Sequence, residues 1–141
     1  RQVNQLHWGG GTPSYLTMAQ VERLWSVLHQ HFEFEPGAEI SIEVNPRDLD
    51  RDYVHFLKDL GFKRVSFGLQ DFNLKVQAAV NRIQPEAMLF DAMGWLRQAG
   101  FESVNVDLIY GLPYQTLATF RDTIEKTLRL NPDRIAVFNF A

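Results

Sequence analysis

The 141-residue chain contains no cysteine. That excludes disulfides and thiolate metal sites within these residues, and it leaves the redox compartment open. No apolar run approaches the roughly 20 residues that a membrane-spanning helix needs. Lysine and arginine never cluster into a basic run, and the formal net charge is −3 with a pI near 5.8. Nucleic acid and anionic membranes are therefore poor partner classes, and a cytoplasmic setting is expected. No signal-peptide pattern opens the chain, which starts at Arg1 without an initiator Met and stops at Ala141 on a strand-like run. It is expected to be an internal piece of a longer protein, with any cysteine chemistry lying outside it. What is present suits one compact core: 45% of residues are hydrophobic, and the 22% that are charged are too few for disorder.

Short β-type runs alternate with longer helical stretches. Val3 to Trp8 reads as a strand that runs into Gly9-Gly10-Gly11-Thr12-Pro13. Thr17 with Gln20 forms a capping-box pattern, and Met18, Val21, Leu24, Trp25, Leu28 and Phe32 recur at helical spacing. Pro36-Gly37 predicts a turn, after which Ile40, Ile42 and Val44 alternate with Ser41 and Glu43 as in a strand. Asp50 caps a helix that Gly61 stops. Arg64 to Gln70 is the next strand, and a short helix follows over Leu74 to Val80. Pro85 opens a longer helix ending at Gly100, with Met88, Leu89, Ala92, Met93 and Leu96 inward. Ser103 to Ile109 is a strand. Thr116 caps a helix bearing Leu117, Phe120, Ile124 and Leu128, and Arg134 to Phe138 is the last strand. Gly61-Phe62-Lys63-Arg64-Val65-Ser66 is echoed 39 residues later by Gly100-Phe101-Glu102-Ser103-Val104-Asn105. This βαβα rhythm requires a parallel sheet.

Strand parity separates two parallel architectures. A doubly wound sheet is covered on both faces, so both parities of its strands are apolar. Here Val65, Phe67 and Leu69 alternate with Ser66, Gly68 and Gln70, and Val104, Val106 and Leu108 alternate with Asn105 and Asp107. One apolar and one polar parity favours an α/β barrel whose inner face lines a site.

Glu43, Gln70 and Asp107 stand near the C-terminal ends of successive strands on the polar parity, the end at which barrel active sites form. Either they satisfy one another, loop amides and water, or they meet a ligand that supplies donors. The three glycines before Thr12 exceed what a turn needs and let backbone approach a ligand closely. They match neither the dinucleotide fingerprint, which wants Gly where Ser14 stands, nor a P-loop. Arg82 sits in a loop on the same side. It could clamp a carboxylate, although a lone loop arginine is ordinarily a solvated one. His29, His31 and His55 read as solvent-facing. His7 precedes Trp8 in a strand and can face the interior, where a satisfied histidine is commoner than a ligand. No pair has metal-ligand spacing, and no Ser-His-Asp set can be argued.

The segments His7-Trp8-Gly9-Gly10-Gly11-Thr12-Pro13, Glu39 to Pro46, Gly68-Leu69-Gln70-Asp71-Phe72-Asn73 and Asp107 to Pro113 resemble, in order, the radical S-adenosylmethionine (SAM) family of oxygen-independent coproporphyrinogen III oxidases. The resemblance covers nearly the whole chain. It implies that residues 1–141 are the central and C-terminal portion of an incomplete (β/α)6, TIM-like radical SAM barrel. The cluster-binding segment and a C-terminal substrate domain would be absent. By this resemblance Gly10, Gly11 and Thr12 receive the methionine part of SAM, and Glu43, Gln70, Arg82, Asp107 and Ala141 also contact SAM. It does not separate positions serving a cluster-bound SAM from those serving a second SAM.

The implied cofactors are SAM and a [4Fe–4S] cluster held by a CxxxCxxC motif that this chain lacks. The piece alone is thus expected to be inactive. The implied chemistry is reductive cleavage of SAM to a 5′-deoxyadenosyl radical, which takes hydrogen from a propionate of coproporphyrinogen III. Loss of CO2 and an electron leaves a vinyl group, and two such steps give protoporphyrinogen IX. An electron donor and acceptor are implied partners. A haem chaperone of the same superfamily is the nearest rival. Gln70-Asp71-Phe72-Asn73, with Val76-Gln77 and Val80-Asn81-Arg82, sides with the oxidase. A cluster-free barrel that merely binds a nucleoside is the second rival.

Overall fold

The computed structural model describes residues 1–141. Five strands form one sheet: β1 (Gln2–Trp8), β2 (Glu33–Val44), β3 (Arg64–Gln70), β4 (Ser103–Tyr110) and β5 (Arg134–Asn139). All neighbours pair in parallel, and their spatial order is their sequence order. A doubly wound sheet reverses that order at a switch point. This one never reverses, and it curls into a partial barrel. The helices between strands are α1 (Met18–His31), α2 (Arg51–Leu60), α3 (Leu74–Ala79), α4 (Glu86–Gln98) and α5 (Leu117–Leu130).

The core lies between the outer sheet face and the helices. Ile42, Val65, Phe67, Val104 and Val106 meet Val54, Leu57, Leu89, Ala92 and Leu96 there, all essentially free of solvent. Each of the valine, leucine, isoleucine and phenylalanine side chains contributes about 1.5–3 kcal/mol of transfer free energy. A cluster of Trp8, Trp25, Phe34 and Phe62, with ring centroids 5.1–6.1 Å apart where they meet, seals the β1 side.

Helix ends follow their local signals. Thr17 and Gln20 make the reciprocal capping box, and Asp50 accepts from the Tyr53 amide at 2.7 Å. The repeated Gly-Phe segments are two copies of one corner. Gly61 (φ 108°) and Gly100 (φ 84°) take the left-handed conformation. Phe62 and Phe101 then donate backbone hydrogen bonds to Leu57 and Leu96 at 3.2 and 3.1 Å, and both rings are buried. These are Schellman caps whose following residue anchors the turn in the core.

Four expectations are corrected. Pro36-Gly37 is not a turn: β2 runs through it. The pairing jumps from Val3↔Phe34 to Gln5↔Glu39, so the dipeptide sits in a bulge, where proline's missing donor costs no ladder bond. In α1, Met18 and Leu24 are exposed, and only Val21 is fully buried. In α5, Leu117 and Leu128 face outward while Thr123, Thr127 and Leu130 are buried. The cause is the buried Asp71 carboxylate. It accepts from Thr123 Oγ1 at 2.9 Å, from the Asn73 amide at 2.6 Å and from Gln115 Nε2 at 2.6 Å, which turns Thr123 inward, while Thr127 donates to the Thr123 carbonyl at 2.7 Å. Pro85 is also one place earlier than expected, as the residue capping α4 rather than its first turn.

Candidate functional site

The polar parity forms the concave inner face. Register places Glu43 beside Ser66, Ser66 beside Asn105, and Gly68 beside Asp107, so three strands contribute to adjoining levels. At the C-terminal ends of the strands, a cavity of about 180 Å³ is lined by Gly11, Thr12, Glu43, Gln70, Arg82 and Asp107, together with Pro13, Val44, Asn45, Ser66 and Gly68. Six residues singled out from sequence thus converge. Gly10 joins through its amide, which donates to Glu43 Oε2 at 3.1 Å. Ala141 is not brought there: it is exposed and lies beyond the end of β5. A second cavity of about 500 Å³ continues down the inner face and shares Glu43, Ser66 and Asp107 as walls.

Local structure explains how each residue arrives. Gly10 (φ 77°) and Gly11 (φ 55°) take left-handed conformations open to glycine, turning the chain back over the strand ends. Buried Ser14 ties that loop to the segment just after β2, donating to Asp48 at 3.1 Å and accepting from the Asn45 amide at 2.8 Å. Gln70 has φ 68°, and the pairing skips from Gly68↔Asp107 to Gln70↔Leu108. This bulge re-aims the end of β3. Gly68 leaves room beside it: a Cβ there would lie 2.5 Å from Gln70 Nε2 and 3.0 Å from an Arg82 guanidinium nitrogen, so these side-chain ends would have to move. Arg82 reaches inward to donate to the Gly68 carbonyl at 3.0 Å.

The electrostatics are those of an incompletely satisfied site. Gln70 Oε1 and Arg82 Nε are buried without a hydrogen-bond partner. Burial lowers the Arg82 pKa, and Arg47 adds to that effect while Asp48 opposes it. A guanidinium so disfavoured, and always charged, seeks an anion. Burial pushes the Asp107 carboxyl above its ordinary value against hydrogen bonds from Asn105 (2.9 Å) and Ser66 (3.4 Å), and the Glu43 charge adds to the rise. Such a carboxylate accepts further donors favourably. The cavity therefore offers a cation and an orphan acceptor beside carboxylates and a glycine loop, which suits a ligand carrying both a carboxylate and donor groups.

Sequence reasoning did not assign Ser66, Gly68, Asn45 or His7 to the site, although it placed His7 as able to face the interior. The first two stand on the same polar parity as Gln70, which was signal enough. The other two depend on pairing register. No helix is long and apolar enough to cross a membrane, and no group of three or more His, Asp or Glu side chains is placed to hold a metal ion.

The sequence profile of the Radical SAM superfamily matches residues 1–127, and the chain belongs to that superfamily. Among curated relatives, the oxygen-independent coproporphyrinogen III oxidase of Synechocystis sp. is 66% identical over the whole chain, and that of Escherichia coli is 52% identical. The chain spans 30% and 31% of those two proteins. The solved Escherichia coli coproporphyrinogen III oxidase, described as a radical SAM enzyme, superposes with a TM-score of 0.97 at 52% identity over the whole chain and 32% of that structure. Methylornithine synthase, at 14% identity and TM-score 0.74 over 99% of this chain and 39% of its own, shares the fold. The expected incomplete radical SAM barrel is thus observed.

Membership implies SAM and a [4Fe–4S] cluster. SAM carries a carboxylate, an ammonium and ribose hydroxyls, and these fit the orphaned Arg82 and Gln70 atoms and the Glu43 and Asp107 acceptors. The cluster does not fit this chain, which has no thiolate to hold it.

Proposed function

We propose that this chain is the SAM-binding part of an oxygen-independent coproporphyrinogen III oxidase acting in the cytoplasm, with the cluster ligated by cysteines outside residues 1–141. The observation that carries the proposal is the convergence of Gly11, Thr12, Glu43, Gln70, Arg82 and Asp107 on one cavity that keeps two buried polar atoms unpaired. The identity of 66% to an oxidase of that name supports the substrate. In this reading Arg82 grips a carboxylate, Glu43 and Asp107 accept from ammonium or hydroxyl groups, and the glycine loop lets backbone close over the methionine part. Held by Arg82, Glu43, Asp107 and the glycine loop, SAM would supply, on reductive cleavage, the hydrogen-abstracting chemistry that acts on the propionate. The contribution of these residues is to orient SAM and exclude water from it. Each propionate would yield a vinyl group and CO2, its remaining electron leaving to an acceptor.

The test is anaerobic incubation of the full-length protein with coproporphyrinogen III, SAM and a reductant. Protoporphyrinogen IX and 5′-deoxyadenosine should both form. Haem binding without decarboxylation would instead identify the chaperone, and binding of SAM without its cleavage would identify a nucleoside-binding barrel.

A further inference from the structure

We infer that His7 is a positioning residue for Glu43, and that position 9 is glycine to make room for the imidazole. The inference rests on the reading of the cavity as a SAM site. His7 and Glu43 are 36 residues apart, yet β1 and β2 pair with His7 beside Ser41, which brings both side chains onto the inner face. His7 Nε2 lies 3.2 Å from Glu43 Oε1, and Nδ1 lies 2.8 Å from Ser41 Oγ. A carboxylate only accepts, so Nε2 carries the proton and donates it to Glu43. Nδ1 is then the acceptor, and Ser41 Oγ donates its one hydrogen to it, which holds the far side of the ring to β2.

Glu43 is therefore held from two directions. Oε1 receives the imidazole N–H and Oε2 receives the Gly10 amide at 3.1 Å. One protein donor on each oxygen fixes the carboxylate plane and leaves its other lone pairs for a ligand in the cavity. This arrangement is poorly explained as a stability device. The two side chains are 50% and 47% exposed, and exposed ion pairs contribute little. Its value is orientation once a ligand covers the carboxylate and removes water, because the same contacts then act in a lower dielectric.

Gly9 is the second observation. Unlike Gly10 and Gly11 it has no positive φ, so its backbone alone does not call for glycine. A Cβ at position 9 would lie 2.6 Å from His7 Nε2 and 3.0 Å from both His7 Cδ2 and Glu43 Oε1. A side chain at position 9 would therefore force the imidazole or the carboxylate to shift from this contact. The three consecutive glycines thus have two separate tasks: two turn the loop, and the first leaves a seat for His7.

The experiment measures SAM affinity by equilibrium dialysis, using the full-length protein with its cluster in place. It compares the unaltered protein with His7→Ala, His7→Gln, Gly9→Ala, Glu43→Gln, the His7→Ala/Glu43→Gln pair and Arg82→Ala, and checks each fold by circular dichroism. His7→Ala and Gly9→Ala should each weaken binding about tenfold. The double variant should bind no worse than Glu43→Gln alone, because His7 acts only through Glu43. His7→Gln, which restores an N–H donor, should recover most of the loss, as a merely structural role would not. Additive losses in the double variant, or no loss in His7→Ala while Arg82→Ala weakens binding, would overturn the positioning role and leave the SAM site standing. Unchanged affinity in both Arg82→Ala and Glu43→Gln would overturn the SAM site, and the inference with it.

Discussion

The two faces of the sheet are built from alternate residues of the same strands, yet they are put to opposite uses. On β3 and β4, Val65, Phe67, Leu69, Val104, Val106 and Leu108 point outward and are almost wholly buried beneath the helices. Their immediate neighbours Ser66, Gly68, Gln70, Asn105 and Asp107 point inward, remain only partly buried and line the cavities. The outer face is satisfied by packing. The inner face carries unpaired polar atoms and carboxyl and guanidinium groups whose proton affinities burial disturbs. Stability is thus concentrated on one parity and binding capacity on the other.

That division can be broken from either side. The largest effect is expected on the outer face: Phe67→Ala should cost about 3–5 kcal/mol, read by urea denaturation of the full-length protein. On the inner face, Gly68→Ala should change stability little, since alanine suits a strand better than glycine does. It should still weaken SAM binding about tenfold or more by pressing on Gln70 and Arg82, the equivalent of about 1.4 kcal/mol or more. A comparable loss of stability in Gly68→Ala would blur the two faces.

Two aspartates sharpen the same contrast. Asp133 accepts from the Val104 amide and from Arg97, both at 2.7 Å, and the amide bond chiefly holds its carboxyl below the ordinary value. A depressed folded-state value contributes stability above the unfolded pKa, and that stability is lost as pH falls through the folded one. Asp133→Asn should therefore cost about 1 kcal/mol at neutral pH, after allowance for solvent screening, and the cost should shrink as acid protonates Asp133 in the unaltered protein. Asp107 has the opposite sign. Its raised carboxyl value means that ionisation burdens the folded state above that value, a burden relieved as pH falls through it. Asp107→Asn should leave the melting temperature at neutral pH unchanged or slightly higher while weakening SAM binding.

Much of the fold was legible because parity and capping are local. The bounds of β3 and the Thr17, Asp50 and Thr116 caps follow from neighbouring residues alone. The bulge at Pro36-Gly37 was not legible, because a turn dipeptide looks the same whether or not β1 pairs across it. The face of α5 was misread because apolar spacing carries no trace of Asp71, whose carboxylate accepts from Thr123 across 52 residues of sequence. Glu43, Gln70 and Asp107 could be grouped because each ends a strand. His7 could not be joined to Glu43 without the register of β1 on β2. Gln70's left-handed backbone likewise arises from the β3 bulge, which only the pairing with β4 reveals.

The most direct test is SAM affinity in the full-length protein carrying Arg82→Ala or Asp107→Ala. Each variant should bind SAM at least about tenfold more weakly while its unfolding transition stays within about 1 kcal/mol of the unaltered protein. Undiminished SAM affinity in both variants would contradict the assignment of the inner face as the binding surface.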